Sequence, residues 1–297
     1  MLASAGLTVN DALKQADTRG FKPIPLGIRL KGHIPTTVRL VASKNVLGSI
    51  EGSDPVLKSE AVLFTAHWDH LGVARTSLGV EEIFSGAQDN GTGSAILMEL
   101  ARAWSAMSPK PKRTALFLAT TAEESGLLGA QYYAAHPIVP LGKTAIDFNF
   151  DMISPIGEPE SIVLNGSERT TAWKTLQETA KKHGLAIEPD LRGHLGHFYR
   201  SDHFALARGG VPAFSVGRGE KVKGKPADFT KKITEDFIAN TYHTPKDKYH
   251  EEWDFAGYPL LIHFSLDAAR AFANAPTLPD WLPGDEFRPA RQKSWGK

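Results

Sequence analysis

Histidine and carboxylate side chains directly follow several strand-like runs of this chain. The run AVLFTA is followed by His67 and Asp69, and TALFLATTA is followed by the adjacent pair Glu123 and Glu124. A third run, TAIDFNF, leads into Asp151. In open α/β sheets, ligands bind beyond the carboxyl ends of the strands, so residues placed there converge although they are distant in sequence. Imidazole and carboxylate groups gathered in this way are typical of a metal site.

Two further segments contain the remaining candidate ligands. The glycine-rich turn SGAQDNGTG carries Asp89, and the loop NTYHTPKDKY carries His243. The chain has no cysteine, so any metal must be bound by nitrogen and oxygen. We expect two Zn²⁺ ions about 3.5 to 4 Å apart, bridged by Asp89 and bound by His67, Asp89, Glu124, Asp151 and His243. A bridging water or hydroxide with a pKa lowered toward ~7 would be the nucleophile.

Three neighbouring residues have the chemistry for supporting roles. Asp69 is placed to accept the second ring N–H of an imidazole ligand, which would fix its tautomer. Glu123 lies beside a ligand and is left over, as a general base for the attacking water should be. Tyr242 could donate a hydrogen bond to the oxyanion of a tetrahedral intermediate.

Each candidate also has an ordinary structural explanation. A single His-x-Asp sequence is a weak signal, and a Glu-Glu pair after a strand is usually a solvated turn. Asp89 could be a helix N-cap or turn residue, and His243 an ordinary surface histidine. To replace the metal site, these separate explanations must all hold, at five places where the α/β rule predicts a site.

The elements that would position these residues alternate between strands and helices. The helix-period segment Gly93–Met107 places Ile96, Leu97, Leu100, Trp104 and Met107 on one stripe. A second helix is predicted between Ser167 as N-cap and Gly184 as the residue after its end. This alternation favours an α/β sandwich. Strands are predicted at Thr36–Ser43, Ala61–Ala66, Thr114–Thr121, Thr144–Ile153, Ser161–Gly166 and Pro212–Gly217.

Two polar stretches are predicted to lie outside the core. The lysine- and glycine-rich segment Gly217–Thr241 is expected to form a surface excursion near the site. The proline-rich end, residues 275–297, is expected to form an extended tail on the surface.

Composition excludes several classes of partner. The 297 residues carry 34 Lys and Arg against 33 Asp and Glu, so no charge excess favours nucleic acid. The longest apolar runs fall far short of the roughly 20 residues of a membrane span. The start, MLASAGLTVND, lacks the basic and apolar regions of a signal peptide.

With these residues in view, the sequence resembles the clan MH zinc aminopeptidases, whose motifs match in order. The matching stretches are AHWDHLG, GAQDNGTGSAILMELARA, TAEESGLLGAQYY, NFDMIS, RSDHFALARGGVPAF and YHTPKDKY. The resemblance implies a three-layer α/β sandwich with a central mixed, mostly parallel β-sheet between helices. It implies the same five ligands, Glu123 as base, and a cis peptide bond between Asp89 and Asn90.

The resemblance also bears on the extent of the domain. Members of this subtype commonly carry a protease-associated domain inserted ahead of the His-x-Asp motif. We therefore expect a single catalytic domain over residues 1–297, with 1–44 as a remnant of the preceding region. The parent protein would be secreted or periplasmic.

The segment GHLGHFYRSDHF is expected to line the substrate cleft. It holds His194 and His197, whose spacing does not fit a metal site cleanly. Arg200 could bind a substrate carboxylate or could equally form an ion pair with Asp202. The predicted substrate-binding residues are Tyr199, Arg200, Asp202 and His203.

The leading hypothesis is a dizinc aminopeptidase that hydrolyses the N-terminal peptide bond of a peptide with a free N-terminus. Alternatives within the clan are a carboxypeptidase, a dipeptidase or a glutaminyl cyclase, the last of which uses a single zinc. A non-enzymatic binding protein, as the transferrin receptor ectodomain is, is a different class. Metal content separates these classes, with about two, one or no zinc per chain.

Overall fold

The computed structural model describes residues 2–38, 40–76, 78–190 and 193–296. The chain divides into two compact units, residues 1–42 and 43–297. This boundary lies close to the predicted end of the region before the core, although the prediction of a single catalytic domain over 1–297 stays a prediction.

The first unit contains a 3₁₀ turn, Leu2–Ala5, and helix α1 (Val9–Ala16). Helix α1 begins with a capping box between Thr8 and Asp11. The prediction of a strand over Thr36–Ser43 is wrong for its described residues, which leave out Arg39. An alternating pattern forms a strand only where a partner strand pairs with it, and none of these described residues pairs with a strand.

The second unit is built on a seven-stranded sheet with the strand order β1-β5-β2-β6-β9-β7-β8, beside a separate hairpin of β3 and β4. The strands are β1 (Val46–Ile50), β2 (Ala61–His67), β3 (Gly72–Arg75), β4 (Glu81–Phe84), β5 (Thr114–Thr120), β6 (Thr144–Phe150), β7 (Ser161–Asn165), β8 (Ala186–Glu188) and β9 (Ala213–Arg218). The remaining helices are α2 (Thr92–Ser105), α3 (Leu128–Ala135), α4 (Trp173–Lys182), α5 (His203–Arg208), α6 (Phe229–Asn240), α7 (Tyr258–Asn274) and α8 (Arg288–Ser294).

Four central strands, β5, β2, β6 and β9, run parallel to one another. Strands β1 and β7 pair antiparallel with β5 and β9, so the sheet is mixed. Every residue of β2 and β6 is buried, as expected for strands covered on both faces. The carboxyl ends of the four parallel strands therefore lie at one edge of the sheet.

Helices cover both faces of this sheet. One apolar core packs α2, α4 and α7 against it, with Phe64 and Trp104 in edge-to-face contact. The other core packs α3 and α5 against the opposite face, together with Trp281. The predicted stripe of α2 is confirmed, since Ile96, Leu97 and Leu100 are buried. The fold is the predicted three-layer α/β sandwich.

Several local predictions need correction. Ser167 is not an N-cap, because it lies in a buried 3₁₀ turn where its hydroxyl donates to the Leu164 carbonyl, and α4 begins only at Trp173. Gly184 does follow α4 in the left-handed conformation. The predicted excursion over 217–241 contains the helix α6, which the polar composition did not indicate.

The C-terminal segment is only partly extended and is not confined to the surface. It ends in helix α8, and both Trp281 and Arg291 are fully buried. The Arg291 guanidinium donates to the carbonyls of Leu141 and Thr144, which anchors α8 beside β6. Buried backbone carbonyls need such donors, and this explains why a basic residue near the terminus is inside the protein.

Candidate metal centre

The carboxylate of Asp89 lies between two imidazole rings. Its Oδ1 is 3.1 Å from Nε2 of His67, and its Oδ2 is 3.2 Å from Nε2 of His243. Asp89 is 3% exposed. Because the two oxygens face different histidines, this carboxylate is arranged to bridge two positions.

On the His67 side, a group of potential ligands is completed by Asp151. Its Oδ1 is 3.3 Å from Nε2 of His67, and the ligand atoms of His67, Asp89 and Asp151 lie within 4.8 Å of one another. His67 ends β2 and Asp151 follows β6, the neighbouring parallel strand. The sheet therefore sets the separation of these two side chains.

On the His243 side, Asp89 and His243 are joined by Glu124 and His70. Glu124 Oε2 is 3.0 Å from Nε2 of His243, and Glu124 Oε1 is 2.7 Å from Nδ1 of His70. The ligand atoms of these four residues also lie within 4.8 Å of one another. The structure thus brings all five predicted ligands together in two groups that share Asp89.

The donor set fits divalent cations such as zinc. Nε2 of His70 is buried and has no hydrogen-bond partner among the described residues, whereas Nδ1 of His70, Oε1 of Glu124 and Nε2 of His243 meet only the charged contacts given above. Buried carboxylates without balancing cations are costly, and imidazole and carboxylate donors are the ligands that zinc accepts. The cluster brings four carboxyl groups, those of Asp89, Glu123, Glu124 and Asp151, together with three imidazoles.

Burial and the neighbouring charges together determine the pKa values at the centre. Burial opposes protonation of His67, but the adjacent carboxylates of Asp151 and Asp89 outweigh it and raise the pKa of His67 to about 12. Burial, with the charges of Asp151 and Glu124, raises the pKa of Asp89 despite its bond to His67. The site thus favours positive charge at its centre.

Glu123 lies beside both groups of ligands, but it takes no part in the contacts by which Asp89 bridges His67 and His243. It is buried, and its carboxylate forms a group of potential ligand atoms with His67 and Glu124. Burial and the charge of Asp151 raise the pKa of Glu123 to about 9. Divalent cations bound to the cluster would oppose this shift, and the position of Glu123 beside the ligands is that of a general base.

Asp69 does orient His67, but through its backbone. The Asp69 carbonyl accepts from Nδ1 of His67 at 2.9 Å, which leaves Nε2 facing Asp89 and Asp151. The Asp69 carboxylate, which the sequence suggested for this role, instead accepts the Ala122 N–H at 2.8 Å and the Thr121 hydroxyl. The side chain therefore holds the turn that carries Glu123.

Tyr242 is half-buried beside the cluster. Its ring stacks on His243 with the centroids 3.7 Å apart. Burial and the charges of Asp89 and Glu124 raise the pKa of Tyr242 to about 12, so its hydroxyl remains a donor.

The four predicted substrate-binding residues divide into two pairs. Tyr199 and Arg200 are exposed, and Tyr199 donates to Glu286 at 2.8 Å. Asp202 and His203 are 0% and 1% exposed, and their predicted role in substrate binding stays a prediction. The start of α5 packs against the sheet and carries them into the core.

The buried pair has perturbed pKa values. Burial raises the pKa of Asp202 to about 7, and the carboxylate accepts the Thr120 hydroxyl. Burial lowers the pKa of His203 to about 4.

Two residues of the site, Ser201 and Asp247, were missed in the sequence. Ser201 donates to Asp151 Oδ2 at 2.6 Å. The buried Asp247 accepts the N–H groups of Gln88 and Asp89 at 2.9 and 3.0 Å. His70 was expected either to pack or to support a ligand through a side-chain contact, and the structure places it against Glu124. The nearest signals were Asp247 in YHTPKDKY and Ser201 in RSDHF, inside motifs already singled out.

The backbone around the ligands adopts unusual conformations. Ala122, Met152 and His243 have φ angles of 54°, 52° and 56°, although none is glycine. The first two are neighbours of the carboxylates described above and the third is itself a candidate ligand. Such left-handed residues cluster at functional sites. The Asp89–Asn90 peptide bond is cis, which confirms that prediction.

The sequence of residues 45–257 matches the family model of peptidase family M28. The chain belongs to this family. The match begins immediately before β1 and ends just before α7, so it includes every residue of the metal centre.

Among curated proteins, aminopeptidase YwaD of Bacillus subtilis is 28% identical over 210 residues, which cover 69% of this chain and 39% of that protein. Leupeptin-inactivating enzyme 1 of Streptomyces exfoliatus is 31% identical over 188 residues, covering 63% and 37%. The chain thus spans well under half the length of these relatives.

Solved structures share the fold. A peptidase M28 precursor from Shewanella amazonensis aligns with a TM-score of 0.56 at 24% identity, covering 81% of this chain and 47% of that one. A glutaminyl cyclase from an Acidobacteriales bacterium aligns with a TM-score of 0.53 at 17% identity, covering 77% and 73%. Among the described residues, no helix is both long and apolar enough to cross a membrane.

Proposed function

We propose that this chain is the catalytic part of a dizinc aminopeptidase, which hydrolyses the N-terminal bond of a peptide with a free N-terminus. The observation that carries the proposal is the arrangement of Asp89, whose two oxygens face His67 and His243 separately. A carboxylate in that position suits two ions better than one. The aminopeptidase specificity is supported by family membership and by the names of the related proteins.

The chain's own residues would divide the work as follows. One zinc would be held by His67, Asp89 and Asp151, and the other by Asp89, Glu124 and His243. Zinc, when bound, supplies a Lewis acid that polarises the scissile carbonyl and lowers the pKa of an attacking water. Positioning by the sheet edge keeps the two groups of ligands at a fixed separation.

Proton transfer would fall to Glu123. A carboxylate oxygen of Glu123 would take the proton of the attacking water and then pass it to the leaving amine. Tyr242 would donate its hydroxyl proton in a hydrogen bond to the developing oxyanion, since it remains protonated beside the cluster. Tyr199 and Arg200 are exposed and are available to contact substrate.

The test combines metal content with a substrate panel. We expect about two zinc ions per chain by elemental analysis and chelator-sensitive release of p-nitroaniline from aminoacyl-p-nitroanilides. Release restricted to peptides with a free C-terminus and a blocked N-terminus would replace the aminopeptidase with a carboxypeptidase. Cyclisation of N-terminal glutamine with one zinc would favour a glutaminyl cyclase. Absence of bound metal after zinc is supplied would overturn the proposal.

A further inference from the structure

A row of buried polar side chains runs beneath the metal centre and ends on one of its carboxylates. Thr65 on β2 and Asp147 and Asn149 on β6 are between 0% and 1% exposed, and Ser201 precedes α5. Thr65 Oγ1 lies 2.9 Å from Asn149 Oδ1, Asn149 Nδ2 lies 2.8 Å from Ser201 Oγ, and Ser201 Oγ lies 2.6 Å from Asp151 Oδ2. The row therefore joins Thr65 to Asp151 without a gap.

The direction of hydrogen bonding is fixed at the Asp151 end. The distance of 2.6 Å between Ser201 Oγ and Asp151 Oδ2 is that of a hydroxyl group donating to a carboxylate, so Asp151 accepts. Ser201 has one hydroxyl proton, and the contact of 2.6 Å to Asp151 requires it. Ser201 must then accept from Asn149, whose amide NH₂ group therefore faces Ser201.

This orientation of Asn149 determines the next contact. With its NH₂ group toward Ser201, the carbonyl oxygen of Asn149 faces Thr65 at 2.9 Å. An amide oxygen only accepts, so the single hydroxyl proton of Thr65 points to Asn149. Thr65 then has no proton left for any other acceptor.

Asp147 lies at the other side of Thr65. Its Oδ1 and Oδ2 are 3.1 and 3.3 Å from Thr65 Oγ1. Because the Thr65 proton is already used, this contact is a hydrogen bond only if Asp147 supplies a proton. The alternative, an ionised Asp147, would turn Asn149 around and leave Ser201 and Asp151 in contact with no proton between them.

The surroundings of Asp147 agree with a neutral acid. The side chain is fully buried, and among the described residues no Lys or Arg pairs with it. The groups that face it are Asp202, whose charge disfavours ionisation, and Tyr133 from α3, whose own pKa is raised. His203 lies one step further, at 3.4 Å from Asn149. Burial raises the pKa of Asp147 well above its usual range.

We propose that Asp147 is a protonated carboxylic acid that heads a one-way chain of hydrogen bonds through Thr65, Asn149 and Ser201 to Asp151. Asp147 is thus a positioning residue, which acts on the metal centre only through this chain. The chain keeps Asp151 Oδ2 occupied by Ser201 and Oδ1 directed toward His67. The effect on zinc rests on the proposed function, but the protonation state does not.

Infrared difference spectroscopy of the chelated wild type against Asp147→Asn tests the protonation state directly. We expect the spectrum at neutral pH to contain the C=O stretch of a protonated carboxyl group that the variant lacks. Asp147→Glu should shift this band. Thr65→Val leaves Asp147 in place but removes its hydrogen-bond partner, so this variant should shift the band as well. Carboxylate bands in place of the protonated band would overturn the proposal.

Zinc affinity, measured by competition with a chelator, tests the positioning role. Asp147→Asn keeps a donor toward Thr65, so we expect affinity within about twofold of wild type. Thr65→Val removes the link, and we expect a loss of about tenfold, the lower end of the effect of outer ligand-orienting groups. Thr65→Ser, the matched control, should restore affinity. Equal zinc affinity in Thr65→Val and Thr65→Ser would overturn the positioning role of Asp147. Absence of zinc binding in the wild type would refute only the proposed function.

Discussion

The side chain of Asp247 fixes the backbone of Asp89, although the two residues are 158 positions apart in sequence. One carboxylate oxygen of Asp247 accepts the N–H of Asp89 at 3.0 Å, and the other accepts that of Gln88. Asp247 lies four residues after His243, so the loop that carries one ligand also fixes the turn that carries the bridging one. The two segments are therefore expected to be coupled.

Asp247→Asn should weaken both zinc binding and folding. The amide retains one acceptor and leaves one buried N–H unpaired, which costs about 1 to 3 kcal/mol in the free energy of unfolding. Zinc affinity should fall about tenfold. Urea unfolding and chelator competition measure the two effects. Lys246→Ala, at an exposed neighbour, should change neither.

Glu123→Gln and Glu124→Gln should have opposite effects. Glu123→Gln removes the base alone, so we expect unchanged zinc content and a kcat lower by about 10²- to 10⁴-fold. Glu124→Gln should lose zinc from the group that contains His243. Elemental analysis and steady-state kinetics on both variants separate the roles. Near wild-type turnover in Glu123→Gln would refute its role as base.

His70→Ala should affect one of the two groups selectively. Removing the ring ends the 2.7 Å contact with Glu124, so the group of Glu124, Asp89 and His243 should bind zinc about 10- to 100-fold more weakly. The group with His67 and Asp151 should keep its affinity. Stepwise zinc titration resolves the two events. His194→Ala, at an exposed histidine, serves as the control.

His203 should make folding sensitive to acid. Its pKa is lowered by burial from 6.5 to about 4, so the unfolded chain binds a proton that the folded chain does not. Stability from this group is present above pH 6.5 and is lost as the pH falls toward 4. The full loss is about 3 kcal/mol.

Urea unfolding of the chelated protein at several pH values tests this expectation. His203→Gln should have a shallower loss of stability between pH 6.5 and 4 than the exposed control His194→Gln. Parallel curves for the two variants would contradict the assignment.

Trp281→Ala should destabilise the whole second unit. The indole is fully buried, packs on Phe287 with centroids 5.0 Å apart and donates to the Gly210 carbonyl at 3.1 Å. We expect a loss of about 3 to 5 kcal/mol in urea unfolding. Leu282→Ala, at a partly exposed neighbour, should cost about 0.5 kcal/mol or less. A small effect at Trp281 would mean that the terminal segment detaches without unfolding the core.

The sheet and the ligand positions could be read from the sequence because both are local patterns. Apolar runs such as Ala61–Ala66 are long enough to specify buried strands, and His67, Glu124 and Asp151 directly follow three of them. Parallel pairing then brings the strand ends together, whichever loops connect them. The order of the strands and the partners of the edge strands required the structure.

The remaining contacts depend on loop paths that local sequence does not specify. Asp202 and His203 were predicted to line a substrate cleft together with Tyr199 and Arg200, whereas the structure buries both of them at the start of α5. Two contacts join loops that are far apart in sequence: the ion pair of His70 with Glu124, and the hydrogen bond from the Asp89 N–H to the Asp247 carboxylate. Polar residues of this kind are informative only when their burial is known.

The left-handed backbone at Ala122, Met152 and His243 has a consequence for engineering this protein. Glycine in place of Ala122 or Met152 would adopt this conformation without steric conflict and offers a route to a more stable fold, whereas glycine in place of His243 would remove a candidate ligand. Each position also fixes the direction of a carboxylate or an imidazole, and relaxing it would loosen the site. Thermostability and catalytic competence are therefore opposed at these three residues, and a search for hardier variants should begin elsewhere in the chain.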